Sequence, residues 1–166
     1  RDDWTRLMLA ILNSVPAVEQ VLAQGVSVNI RGTEEFHGVT PLMFASGIGA
    51  LVTVKLLVER GARLNDTDTQ GNTALIQAAK KGHFDTVQFL LQQGANPNAE
   101  TNQKWTALMF AAHREQFEVL KTLLKHGASA DFQDDLGMSS IMYAAQNGHF
   151  EIVQHLLKRG AKVDLA

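Results

Sequence analysis

Apolar and polar positions along this chain fall into a pattern that resets every 33 residues. Thr40-Pro41-Leu42-Met43, Thr73-Ala74-Leu75-Ile76, Thr106-Ala107-Leu108-Met109 and Ser139-Ser140-Ile141-Met142 open four segments in the same phase. Within a segment, an apolar set at i, i+3 and i+4, such as Leu75, Ala78 and Ala79, predicts a short helix with one buried face. The threonines stand where an N-cap hydroxyl is wanted, and Pro41 follows at the first helical position, where its missing donor costs nothing. Gly49, Gly82 and Gly148 interrupt the chain. A second, bulkier helix is then predicted from Phe84, Val87, Leu90 and Leu91, or from Phe150, Val153, Leu156 and Leu157. Gly61, Gly94, Gly127 and Gly160 end that helix, where a left-handed C-cap needs a residue without a β-carbon. Ala62, Ala95, Ala128 or Ala161 comes next, then Asn65, Asn98, Asp131 or Asp164, and a polar loop leads to the next threonine.

A constant period of this size marks a stack of like supersecondary units, and such stacks usually work as binding surfaces. The segments resemble the ankyrin-repeat family and its TPLHxA signature. Thr40, Pro41, Leu42 and Ala45 carry the signature, Gly82 and His83 the turn between helices, and Leu90, Leu91, Gly94, Ala95 and Asn98 the second helix and its exit. A first, irregular unit is visible at Thr5, Leu7, Ala10, Val21, Leu22, Gly25 and Asn29. Five repeats are therefore expected in a single domain spanning 1–166, with approximate boundaries 1–34, 35–67, 68–100, 101–133 and 134–166. The resemblance implies an all-α solenoid of helix-turn-helix units with projecting β-hairpin fingers. Narrow, alanine-rich inner helices beside wide, leucine-rich outer helices predict the same curvature from volume alone, and helix spacings of ~8–10 Å give a length of roughly 40–50 Å.

The departures from the pattern carry their own expectations. The signature histidine is replaced by Met43, Ile76, Met109 and Met142, so a hydrogen-bonding position has become apolar in every full repeat. The first finger has three residues more than the others, counted from Asn29 to Thr40 against Asn65 to Thr73, and is expected to project further. In the fourth unit Lys104 stands where Gly38, Gly71 and Gly137 occupy the finger, and Glu115-Gln116 replaces the inter-helix glycine and its follower. Both changes oppose local backbone preference and mark the unit for attention.

Composition narrows the classes of function. The chain has 166 residues, 15 Lys plus Arg, 17 Asp plus Glu, a net charge of -2 and 45% hydrophobic residues. That balance supports a buried core and argues against a general nucleic-acid binder, which needs a basic surface. No apolar run approaches the ~20 residues of a membrane helix, so no membrane insertion is expected. The absence of cysteine excludes a disulfide framework and sulfur metal sites, and leaves the compartment open between cytoplasm and export. The chain opens on Arg1 rather than Met, which implies that residues preceded it and leaves a removed targeting segment open.

Catalytic chemistry finds no constellation. His83 and His149 sit at the inter-helix turn, where backbone bridging is expected, and His126 and His155 lie near ends of outer helices. None has zinc-site spacing. His37 and His113 are the two histidines placed to reach the binding side. Gly47 and Gly49 do not form a phosphate loop, and Thr5, Thr40, Thr73 and Thr106 are read as caps rather than nucleophiles. No cofactor, metal or catalytic residue is expected; a site built from His113 and Glu115 is the minor enzymatic alternative.

The resemblance implies that finger tips and inner helices form a concave recognition surface. By phase, that surface holds Phe36, His37, Phe44, Lys81, Trp105, Phe110, Arg114, Leu136, Met138 and Tyr143. Phe44, Phe110 and Tyr143 share one inner-helix phase with Leu9 and Gln77 and predict an aromatic stripe. Trp105 and Phe36 lie in loops that should be polar, and large aromatics are favoured interface anchors. The fingers carry eight acidic residues (Glu34, Glu35, Asp66, Asp68, Glu100, Asp131, Asp134, Asp135) and two basic ones (Arg31, Lys104). Lys80, Lys81, His113 and Arg114 fall at inner-helix ends bordering the groove.

The expected function is a non-catalytic module, monomeric when unbound, that binds a folded protein partner and occludes or sequesters it, as inhibitor, immunity-type binder or adaptor. The alternative is an ankyrin fragment of a larger signalling, channel or effector protein. The opening Arg1 and the lack of a clearly polar closing repeat keep that alternative open.

Overall fold

The structure, a computed structural model, describes residues 2–163; the loop position expected at Asp164 lies outside the described residues. Ten α-helices run through these residues in five pairs. They are α1 (Asp3–Asn13) and α2 (Val15–Ala23), α3 (Pro41–Gly47) and α4 (Leu51–Glu59), α5 (Ala74–Lys81) and α6 (Phe84–Gln92), α7 (Ala107–His113) and α8 (Phe117–Lys125), and α9 (Ser140–Gln146) and α10 (Phe150–Lys158). Odd-numbered helices pack on one another in series and so do even-numbered ones, giving an inner and an outer layer.

Local chemistry sets the helix starts. The hydroxyls of Thr40, Thr73 and Thr106 accept the N–H groups of Met43, Ile76 and Met109 at 3.3, 3.2 and 3.3 Å, as N-caps should. Ser139 occupies the same site, yet its hydroxyl is buried without a partner. Thr5 is not a cap. The Asp2 carboxylate takes the Thr5 N–H at 2.7 Å, so α1 begins a turn earlier than the repeat pattern placed it and Thr5 lies inside the helix.

Small side chains let the inner layer close up. Ala45, Ala78, Ala79, Ala111, Ala112 and Ala144 are fully buried there, while Val54, Leu57, Leu90, Leu120, Leu123 and Leu156 fill the outer layer. Each of those leucines contributes about 1.5–3 kcal/mol by leaving water. Met43, Ile76 and Met109, in place of the signature histidine, sit among them almost wholly buried, so that position serves the core.

Polar groups staple unit to unit. Asn29 donates to the Gly61 carbonyl at 3.1 Å and accepts from the Arg63 N–H at 2.9 Å; Asn98 repeats the arrangement with Gly127 and Ser129 at 3.0 and 2.8 Å. His83 Nε2 lies 3.1 Å from the Gly47 carbonyl and His149 Nε2 3.1 Å from that of His113, the backbone bridging expected of both.

The fingers are tight turns rather than extended hairpins. Among the described residues, strand-like pairing is confined to the isolated bridges Glu100–Thr106 and Gln133–Ser139. The three extra residues of the first finger do not lengthen its tip. A 3-10 turn over Glu34–Phe36 absorbs them, and the His37 carbonyl still accepts the Thr69 N–H of the next finger at 2.8 Å.

In the last pair, α10 exposes Phe150 and Leu157 among polar side chains. Phe117 is half-buried with its ring edge-on to His155 of α10 at 5.4 Å, but its counterpart Phe150 in the last pair is 79% exposed.

Candidate protein-binding surface

The finger tips form one continuous edge. Beyond the His37–Thr69 link, the Gln70 carbonyl accepts the Asn102 N–H at 2.9 Å and the Gln103 carbonyl that of Asp135 at 3.4 Å. Each tip is thereby fixed to its neighbour before any partner arrives.

Each finger is also tied to an inner helix according to its own chemistry. One Asp68 carboxylate oxygen accepts the N–H groups of Gln70 and Asn72 at 2.9 and 2.8 Å, and one of Asp134 accepts those of Leu136 and Met138, both at 2.9 Å. The second oxygen of each faces an inner-helix donor: Gln77 Nε2 at 3.4 Å from Asp68, and the Tyr143 hydroxyl on Asp134. In the third finger Thr101 replaces the aspartate and accepts the Trp105 N–H at 3.1 Å. There the inner helix presents Phe110.

The expected aromatic stripe is consequently two patches. In the C-terminal one, Trp105 stacks at a tilt on Phe110 and Tyr143, with ring centroids 4.7 and 4.5 Å away, and meets His113 edge-on at 5.8 Å. Tyr143 is 7% exposed, so its ring supports Trp105 from beneath; Leu136 stands 84% exposed at the adjoining tip. Met138 and Phe110 are half-buried, and Lys80 lies over the Phe110 ring at 5.4 Å. The N-terminal patch is built on Trp4 and Phe36, ring centroids 4.1 Å apart, with Phe44 beside them in an apolar cavity. Gln77 and the polar second finger separate the two. Trp4, Met8 and Leu12 were missed by reading loops and one helix phase; Trp4 had a visible signal, as one of only 2 tryptophans in the chain.

Charge is less uniform than the finger composition implies. Asp68 and Asp134 are buried turn caps, Asp66 lies 3.8 Å from Arg31, Asp135 3.7 Å from Lys104, and Asp131 3.8 Å from Lys162. Among the described residues, Glu34, Glu35 and Glu100 are the finger acids that neither cap a turn nor join an ion pair. Lys81 and Arg114 are exposed at the ends of α5 and α7. His37 is exposed with a left-handed backbone, φ 53°, at the first tip.

His113 and Glu115 do not converge on a shared site. His113 packs against Trp105 and Tyr143, whereas Glu115 reaches His149 at 3.7 Å. Among the described residues no group of three or more His, Asp or Glu side chains is placed to hold a metal, and no helix is long and apolar enough to cross a membrane.

A family model described as ankyrin repeats, in three copies, matches residues 7–101 and 95–166. A comparison with curated proteins gave no match. Ankyrin repeats are protein–protein interaction modules and are typically non-catalytic. With the model covering nearly the whole chain and the paired helices and linked fingers in place, this protein belongs to the ankyrin-repeat family.

Proposed function

We propose that this chain binds a folded protein through the concave face formed by its finger tips and inner helices, and that it acts by occluding or sequestering that partner. The observation carrying this reading is the C-terminal patch: a tryptophan in a loop, propped by Phe110 and Tyr143, with Leu136 almost fully exposed beside it. Clustered aromatic anchors of this kind supply most of the binding energy in protein interfaces. The hydrogen-bonded finger edge supports the same reading, because a surface already ordered loses little entropy on association. Arg114 and Lys81, exposed at the inner-helix ends, add the polar rim that steers and orients a partner.

Affinity copurification with the immobilised chain, followed by an activity assay on the captured protein, tests this. Capture that is lost with Trp105→Ala and Arg114→Ala, together with inhibition of the captured protein, supports occlusion. Capture indifferent to both substitutions would contradict it.

A further inference from the structure

The first finger adds a feature that the other fingers lack. Its 3-10 turn brings Phe36 back over Trp4 of α1, and the two rings, with Met8, Leu9, Leu12, Val39 and Phe44, wall a cavity of about 410 Å³. This lies in the range of ligand clefts, roughly 300–1,000 Å³. The packing is built to one shape. Gly32 sits so close beneath the rings that a β-carbon there would come within 2.7 Å of the Phe36 Cβ and 3.0 Å of the Trp4 ring.

The walls are mostly apolar, and the Trp4 indole N–H is already donated to the Val39 carbonyl at 2.8 Å; Thr5, Glu35 and His37 are the polar residues in the lining. The rim differs. Glu34 and Glu35 are exposed on the same 3-10 turn, and neither is in an ion pair among the described residues, while five of the other six finger acids are capping turns or paired with a cation. An apolar hole beside two adjacent uncompensated carboxylates selects a ligand that is greasy at its tip and cationic at its base.

We infer that this cavity receives one bulky apolar side chain from a segment of the protein partner whose flanking residues are Lys or Arg. The inference rests on the concave-face reading and names the chemistry of one of its anchor points. Phe36 and Leu9 contact the inserted side chain, and Glu34 and Glu35 hold the flanking cations, so the segment enters in one register.

Short random peptides displayed on phage and selected on the immobilised full chain test this, with the selected peptides then measured by calorimetry against variants. Leu9→Asp and Leu12→Asp alter side chains that are exposed in the free protein, so they leave the fold intact while placing a charge in the cavity wall. The expected peptides share an apolar residue flanked by Lys or Arg, lose about tenfold or more in affinity to either variant, and lose their salt dependence with Glu34→Gln plus Glu35→Gln. Peptides that are acidic, lack an apolar residue, or ignore Leu9→Asp and Leu12→Asp would overturn the inference. So would a free chain that sediments as a dimer dispersed by Leu12→Asp, which would give the cavity to a second copy. Peptides that depend on Trp105 and Arg114 but not on Leu9 would remove the cavity and leave the concave-face reading standing; peptides indifferent to both sets would remove both.

Discussion

The Tyr143 hydroxyl on α9 donates to the Asp134 carboxylate that closes the fourth finger, so one buried phenol couples a finger to its inner helix. Two units earlier Gln77 stands in the same relation to Asp68, whereas Phe110 faces Thr101 and Phe44 faces a first finger with Gly32 at that point. Finger and helix thus match unit by unit: a carboxylate meets a hydrogen-bond donor, and where it is absent the inner helix presents a phenylalanine.

Burial first, then the hydrogen bond to Asp134 and its charge, push Tyr143 well above the ordinary phenol range. The folded state therefore holds this proton more tightly than the unfolded chain. Stability is retained below the unfolded value, about 10, and falls as pH rises above it, because the unfolded chain then ionises and the folded one does not. Since Tyr143 is the only tyrosine, ultraviolet titration should show tyrosinate appearing late and together with unfolding. A midpoint near that of free tyrosine would contradict this.

Tyr143→Phe should cost about 1–3 kcal/mol, the expense of leaving a buried carboxylate oxygen without its donor. Denaturant unfolding measures it. Asp134→Asn with Tyr143→Phe should cost less than the two single changes added, because they remove one shared interaction.

The fourth unit holds Lys104 at φ 59° and Glu115 at φ 58°, where its neighbours have glycine. The Lys104 ammonium lies 3.7 Å from Asp135 and the Glu115 carboxylate 3.7 Å from His149 Nδ1, but surface contacts of this kind contribute only ~0–1 kcal/mol against a left-handed penalty of ~1–2 kcal/mol. Lys104→Gly and Glu115→Gly should each stabilise the chain by about 0.5–1 kcal/mol, after the greater unfolded-state entropy of glycine is counted. An upward shift in melting temperature for each variant checks this.

His155 packs edge-on to Phe117 with its Nε2 buried and unpartnered. Burial first, then the charges of Arg159, Lys121 and Lys158, hold its imidazole below the ordinary value. The unfolded chain takes up this proton at about 6.5 while the folded chain resists it, so stability is lost as pH falls below that value. His155→Gln should flatten the acid side of a stability profile measured through that window, and an unchanged slope would count against it.

Much of the fold was legible because each 33-residue unit repeats the same statement. The caps at Thr40, Thr73 and Thr106 and the left-handed glycines follow from local rules that one residue satisfies alone, and the bridging histidines follow from the repeat itself, each reaching a carbonyl of the preceding unit. Asp2 displaced Thr5 as a cap because its carboxylate, three residues upstream, accepts the Thr5 N–H and starts the helix there. The surface was legible only in part. Phase placed Trp105 and Tyr143 on one face, but the turn that folds Phe36 onto Trp4 depends on contact across 32 residues, and the pairing of finger acids with Arg31, Lys104 and Lys162 depends on neighbouring units. Neither is a property of spacing.

The central claim is that partners bind where finger tips meet inner helices. The most direct measurement is the dissociation constant of a captured partner for the unaltered chain, for Phe36→Ala, Trp105→Ala and Arg114→Ala, and for Val52→Ser on the outer face, with circular dichroism verifying each fold. The account predicts losses of about 2 kcal/mol or more at Trp105, smaller losses at Phe36 and Arg114, and none at Val52. Binding unaffected by the three inner-face changes and weakened by Val52→Ser would contradict it.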